Sequence, residues 1–212
     1  MPQITSTYHH GDLHAALIDA GLALARTGGV DAVRVRDVTR QAGVSPAAAY
    51  RHFEDHRALV VAVALAAQDH LAESIVARIG SETADAQGPA DAAVARLRGV
   101  GLGYIDFALA EPGWFELALL TFDPGGEAPS VMVAEQIPAP FLLLLEALDA
   151  CREASVLTAA QREHAEWPCW SAVHGFADIA TRGPLRGQDP HVLQALGADV
   201  VERIIAGVRQ PR

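Results

Sequence analysis

The sequence is poor in the features that would make it a disulfide scaffold, a membrane protein or a secreted one. Only two cysteines occur among 212 residues, Cys151 and Cys169, too few for a disulfide framework and without metal-site spacing. They read as free thiols, with a redox-sensing pair as the alternative. No run of about 18 apolar residues is free of charge, and no basic N-terminal region leads into an apolar stretch. Neither a membrane span nor a secretory signal is therefore expected, and the expected compartment is the cytoplasm. Lysine is missing altogether: all 16 basic residues are arginine, which offers bidentate contacts to guanine or phosphate. No serine or cysteine stands in a nucleophile-elbow context, no glycine-rich phosphate loop follows a strand, and the carboxylates are scattered, so no catalytic residues, no cofactor and no enzyme activity are expected. Strand-like alternation bounded by hairpin signals is lacking too, which leaves an all-α chain.

Half of the residues are hydrophobic, ample for a packed core, and they recur at helical spacing. Leu13, Leu17, Ala20 and Leu24 form one stripe, closed by Gly28 and Gly29, which predicts a helix over about 11–27. Val35, Val38 and Ala42 form a second, and Gly43 then permits a tight turn. Ser45 and Pro46 next supply an N-cap with proline in the first turn of another helix. That helix has room for about two turns before Phe53, and one face (Pro46, Ala47, Ala48, Tyr50, Arg51, His52) is small or polar enough to enter a major groove roughly 12 Å wide. Val44, Ala49 and Phe53 supply its inward face. Two short helices at an angle, the second with this face, form a helix-turn-helix that reads double-stranded DNA. Asp55 can cap a long helix with the stripe Val60, Val63, Ala67, Leu71, Ile75 and Ile79, a lever that leaves the small N-terminal unit. Residues 80–90 read as a loop, and further helices are expected at about 90–110, 112–121, 130–154, 158–181 and 190–208. The domain division expected is 1–54 and 55–212.

Net charge is −10, which repels phosphate at long range. Residues 1–60 nevertheless balance six arginines (26, 34, 36, 40, 51, 57) against six acids (12, 19, 31, 37, 54, 55), so the whole excess lies beyond them. Affinity for DNA must then come from a few placed arginines and amide groups rather than from a broad positive field.

Residues 8–60, with their AGVS, YRHF and closing FEDHRAL elements, resemble the DNA-binding domain of the tetracycline-repressor (TetR/AcrR) family of bacterial transcription regulators. The stretches FALAEPGWFELALLT (107–121) and WSAVHGF (170–176) resemble the ligand-binding half of a subgroup named for a Trp-His-Gly signature. The resemblance implies an N-terminal three-helix bundle with a helix-turn-helix and a C-terminal helical ligand-binding and dimerisation domain. It implies that Ser45, Tyr50 and His52 touch phosphates or base methyl groups, and that Pro46, Ala47 and Arg51 vary with the operator. Arg51 is the best base-reading candidate, with a phosphate-only role as its alternative. Arg36 and Arg57 complete the candidate DNA-binding set. Three positions depart from the pattern. Thr39 and Ala49 exchange sizes across the helix pair; His56 stands where a phosphate-binding lysine is common, a role Arg57 could take; and Arg34 stands where a capping Ser or Thr is usual. His9, His10 and His14 with Asp12 could suggest zinc, but such a run is ordinary in the family at the start of the first helix, and no metal is expected.

In the second half Tyr104, Phe107, Trp114, Phe115, Phe122, Trp167 and Trp170 gather most of the aromatics, with His174 on the stripe of Trp167 and Trp170. They are expected to enclose a small apolar or aromatic effector, and Trp114, lying outside the first sixty residues, is expected to matter for the ligand response and not for ligand-free DNA affinity. The alternative for each is simple core filling. Glu111-Pro112-Gly113 breaks the helical run beside them, where a bend could transmit binding. Val192, Leu196, Val200 and Ile204, with Val173, Phe176 and Ala180 of the preceding helix, are expected to form the seam of a homodimer. The expected function is a repressor that binds a palindromic operator as a dimer and is released by a small-molecule effector. The competing reading is an all-α small-molecule-binding protein or enzyme in which the helix-turn-helix does not meet DNA.

Overall fold

A computed structural model describes residues 10–120 and 138–210. Ten α-helices occur among them: α1 His10–Gly28, α2 Val35–Gln41, α3 Pro46–Ala49, α4 His56–Thr83, α5 Pro89–Ala110, α6 Pro112–Leu120, α7 Ala139–Glu153, α8 Ala159–Arg162, α9 Glu166–Thr181 and α10 Pro190–Val208. A single 3-10 turn, Val30–Ala32, separates α1 from α2. No strand occurs among the described residues, so the all-α expectation holds.

The helix starts follow from local chemistry. Helices α3, α5, α6 and α10 begin on proline, whose missing N–H falls among the donors that a first turn cannot use. Asp55 accepts from the Ala58 amide at the head of α4 (2.8 Å), as expected, and Thr158 and Gln161 close a reciprocal capping box on α8. Helix α4, 28 residues and so about 42 Å long, buries Leu59, Val63, Ala67, Leu71 and Ile75. By length and composition alone it could cross a membrane, but that stripe packs against α1, α5, α6 and α7. On α5 a Cβ at Gly99 or Gly103 would run into the backbone of Ile79 or Ile75, which is how closely α4 and α5 approach. Helix α5 in turn carries α7, α9 and α10 on its other sides. A single buried cluster runs from Leu17, Val38 and Phe53 along α4 to Tyr104, Leu148 and Val201.

Two boundaries differ from the sequence reading. Helix α4 continues four residues into the expected loop: the Thr83 hydroxyl donates to the Ile79 carbonyl (2.8 Å), and Gly80 faces open space, where no side chain is missed. The stretch 158–181 is two helices rather than one, because His164 turns the chain with φ 59. Arg162 fixes that corner by donating to Asp149 and Glu166, both at 2.8 Å. Residues 130–137 of the expected seventh helix lie outside the described residues.

Candidate functional site

The N-terminal helices display one outward row. Gly43 takes φ 71, and the Val44 amide donates to the Thr39 carbonyl at 2.9 Å, which closes the turn between α2 and α3. Ser45 is the extended residue before α3 but makes no side-chain cap bond. The expected N-cap position, with proline in the first turn, is therefore kept without a side-chain bond. Ser45, Pro46, Ala47, Tyr50 and Arg51 are exposed, Tyr50 to 54%, while Ala48, Ala49 and Phe53 are buried. Ala48 thus belongs to the inner face and not to the outer one. Thr39, like Ala49, is buried, and it donates to the Arg36 carbonyl (3.2 Å). His52 is half-buried, its ring 6.2 Å from that of His14, which itself stacks on Phe53 at 4.8 Å. The histidine weighed as a zinc ligand is thus occupied by packing; the side chains of His9, His10 and Asp12 lie outside the described residues.

The six arginines of this segment divide into two sets. Arg26 pairs with Glu111, Arg40 with Asp37, and Arg34, at the unbonded N-cap of α2, donates to the Asp31 carbonyl. Arg36, Arg51 and Arg57 are exposed and have no ion-pair partner among the described residues. His56 is engaged by the protein itself: its Nε2 lies 2.6 Å from the Val33 carbonyl, to which it donates. Arg57 remains the outward cation at that helix start.

The aromatic residues fall into two groups rather than one chamber. Tyr104, Phe115, Trp170 and His174 converge, with Tyr104 edge-on to Phe115 at 5.5 Å and to Trp170 at 5.1 Å. The Tyr104 hydroxyl lies 2.8 Å from His174 Nδ1. Burial pushes the Tyr104 phenol far above its ordinary range and His174 below its own. Phenol and imidazole are both neutral, and the hydroxyl donates to the ring. The apolar void beside this group measures about 20 Å³, room for about one water, where a small-molecule pocket takes roughly 300 to 1,000 Å³. Among the described residues these rings pack on one another beside that void. Trp167 is 59% exposed, leaning on Phe141 (5.7 Å), and Phe122 lies outside the described residues.

Trp114 and Phe107 form the second group. The indole N–H of Trp114 donates to the Leu22 carbonyl of α1 at 2.7 Å. Its ring stacks on His70 (4.9 Å) under the Arg26 guanidinium (5.3 Å), with Phe107 at 6.5 Å. Although Trp114 lies outside the first sixty residues, it ties α6 to them. Gly113 makes this possible, since a Cβ there would collide with the Ala25 carbonyl. Glu111 completes the junction through the paired contact from Arg26, whose Nε lies 2.8 Å from the carboxylate. The Glu-Pro-Gly break is thus the joint between the two halves. Beside it opens a cleft of about 920 Å³, walled by the end of α1, the α5–α6 corner and the α9–α10 turn. The sequence reading missed it, because its walls come from segments over 150 residues apart (Arg26 to Arg186, for example).

Helix α9 turns Val173, Phe176 and Ala180 into the protein's own core, with Phe176 against Gly197 of α10. They are not a surface seam. Ile179 of α9, and Val192 and Leu196 of α10, are exposed, while Val200 and Ile204 are half-buried. Both cysteines are buried and free, and burial pushes their thiols up to about 11 for Cys151 and about 12 for Cys169.

Two family descriptions match the chain: "Bacterial regulatory proteins, tetR family" over residues 17–63 and "Tetracyclin repressor-like, C-terminal domain" over 97–204. The second alone covers half of it. Neither names the Trp-His-Gly subgroup. No curated protein matches. A solved structure of a protein of unknown function from Rhodococcus sp. RHA1 is 25% identical with a TM-score of 0.74, covering 97% of this chain and 100% of its own. A candidate tetR-family regulator from Mesorhizobium loti shares 13% identity at a TM-score of 0.68, with 94% and 98% covered. The transcriptional regulator FadR from Bacillus subtilis, solved with stearoyl-CoA, shares 14% at 0.65, with 92% and 98% covered; at these last two identities the likeness is one of fold. With the helix-turn-helix and the helical body matched in their own segments, the chain belongs to the tetracycline-repressor (TetR) family of transcription regulators.

Proposed function

We propose that this regulator is a ligand-responsive repressor that works in the cytoplasm, binds a palindromic operator as a homodimer through residues 1–54, and releases it when residues 55–212 take up a small molecule. The observation that carries the DNA reading is the division of the arginines. Of the six, only Arg36, Arg51 and Arg57 have neither an ion-pair nor a side-chain hydrogen-bond partner among the described residues, and they are exposed, as are Ser45, Pro46, Ala47 and Tyr50. In a segment of zero formal charge, three uncommitted guanidiniums are what phosphates and base edges can engage. Two copies would set their α3 helices one turn of DNA apart, about 34 to 36 Å, or modestly more. That FadR of the same fold is solved with stearoyl-CoA supports a helical body that admits a small molecule.

The test is a gel-shift titration with DNA flanking the protein's own gene, against a scrambled duplex. Binding of the flanking DNA alone is expected, and Arg51→Ala should cost about 1 to 3 kcal/mol at one base position while relaxing preference there. Equal losses on specific and scrambled DNA would make Arg51 a phosphate contact. No binding to either duplex would remove the repressor reading.

A further inference from the structure

Of the two cavities described, the larger lies at the joint between the two halves. The void beside Tyr104 and Trp170 holds about 20 Å³, the junction cleft about 920 Å³, and only the second matches the size of a small-molecule site. Its lining is rich in arginine. The chain carries −10, yet four arginines (26, 78, 182 and 186) and only two carboxylates (Asp106 and Glu116) line the cleft. Arg78 is bonded to Asp106 across 3.1 Å, so that pair cancels within the wall. Arg26 and Arg182 pair with Glu111 and Asp178, neither of which lines the cleft. Arg186 has no ion-pair partner among the described residues. Leu109, Pro112 and Leu193 give the remaining wall an apolar character.

We propose that this cleft binds the effector, and that the effector is an amphiphilic organic anion: a carboxylate, sulfonate or phosphate head held by Arg182 and Arg186, with an apolar body against Leu109, Pro112 and Leu193. The head gains charge-assisted, bidentate hydrogen bonds, which an uncharged molecule of the same shape does not. Glu116 faces the cleft beside Gly29 and has no hydrogen-bond partner among the described residues; it disfavours a second negative group and accepts a hydrogen bond from a donor on the ligand body. The position supplies the coupling. One wall is the end of α1, in the DNA-binding half, and the facing wall is the α9–α10 turn, so tilting that half changes the width of the site. A ligand that fits one width better shifts the equilibrium by that difference in affinity. The proposal rests on the regulator reading above, but its first measurement is made without DNA.

The probes are 8-anilino-1-naphthalenesulfonate and its uncharged counterpart N-phenyl-1-naphthylamine, titrated by fluorescence into the full chain. The sulfonate is expected to bind more tightly than the amine. Arg182→Glu/Arg186→Glu should weaken the sulfonate about tenfold or more and leave the amine unchanged, with an unaltered unfolding midpoint. The control Arg203→Glu, on the exposed side of α10, should change neither. Equal effects of the double variant on both probes, or none on the sulfonate, overturn the site. So does a double variant that changes only the sedimentation of the protein, which would make the cleft a subunit contact. Saturating operator DNA should then shift sulfonate affinity about 5-fold or more. An unchanged affinity overturns the effector role. Failure of the protein to bind any DNA is scored separately, by the gel shift.

Discussion

His174 shows how one half-buried residue makes stability depend on pH. Its ring accepts from the Tyr104 hydroxyl, and burial, with a lesser push from Arg182 against the pull of Asp178, holds its pKa below the ordinary histidine value. The folded state therefore resists a proton that the unfolded chain accepts. Above about pH 6.5 neither state is protonated and the residue is silent; below it the unfolded chain gains the proton first, so stability falls on acidification until the folded value is reached. His174→Gln keeps an acceptor for the phenol and removes the titration. Urea unfolding at pH 7 and 5.5 should show a smaller acid loss in the variant, by no more than about 1.4 kcal/mol per pH unit. Identical losses would show that the ring is not the titrating group. At this scale the sequence was informative about backbone and silent about partners. Gly43 and Asp55 act within a few residues of themselves, whereas the bond from His56 to Val33 and that from Tyr104 to His174 span 23 and 70 residues, and no local pattern announces them.

Helix α6 is the element whose role changed most. Sequence periodicity places Trp114 and Phe115 side by side but cannot say that the first faces α1 and the second Tyr104. Consecutive helical residues point about 100° apart, and here that divides them between the joint and the core. Trp114→Phe should test the joint, since it keeps the ring and deletes the N–H bonded to Leu22. The cost expected is about 1 kcal/mol of stability together with a measurable change in ligand-free operator affinity, read by denaturant unfolding and by fluorescence anisotropy. An unchanged DNA affinity would mean that α6 does not position the DNA-binding half. Helix starts were legible for a local reason, proline or a capping side chain at the first turn. The α8–α9 break was not, because what holds it is Arg162 reaching Asp149 on another helix.

For the whole molecule, the proposed dimer requires an exposed apolar face. Helix α9 is apolar on two sides, and spacing alone cannot tell the side against its own core from the side against a partner; Val173, Phe176 and Ala180 proved to be the former. The exposed apolar side chains at this end of the body are Ile179 on α9 and Val192 and Leu196 on α10, two neighbouring helices that could pack against their copies as a four-helix seam. Substitutions on the two sides should therefore separate cleanly. Leu196→Glu and Ile179→Glu are expected to leave a folded protein with a nearly unchanged unfolding midpoint at low concentration, but to halve its mass in sedimentation, because a charge on each copy is buried against its symmetry mate without a partner. Phe176→Ala should do the reverse. It opens a cavity beside Gly197 and costs about 3 to 5 kcal/mol of folding stability, while the protein that remains folded still dimerises. If Leu196→Glu and Ile179→Glu both stay dimeric while folded, the subunits meet elsewhere.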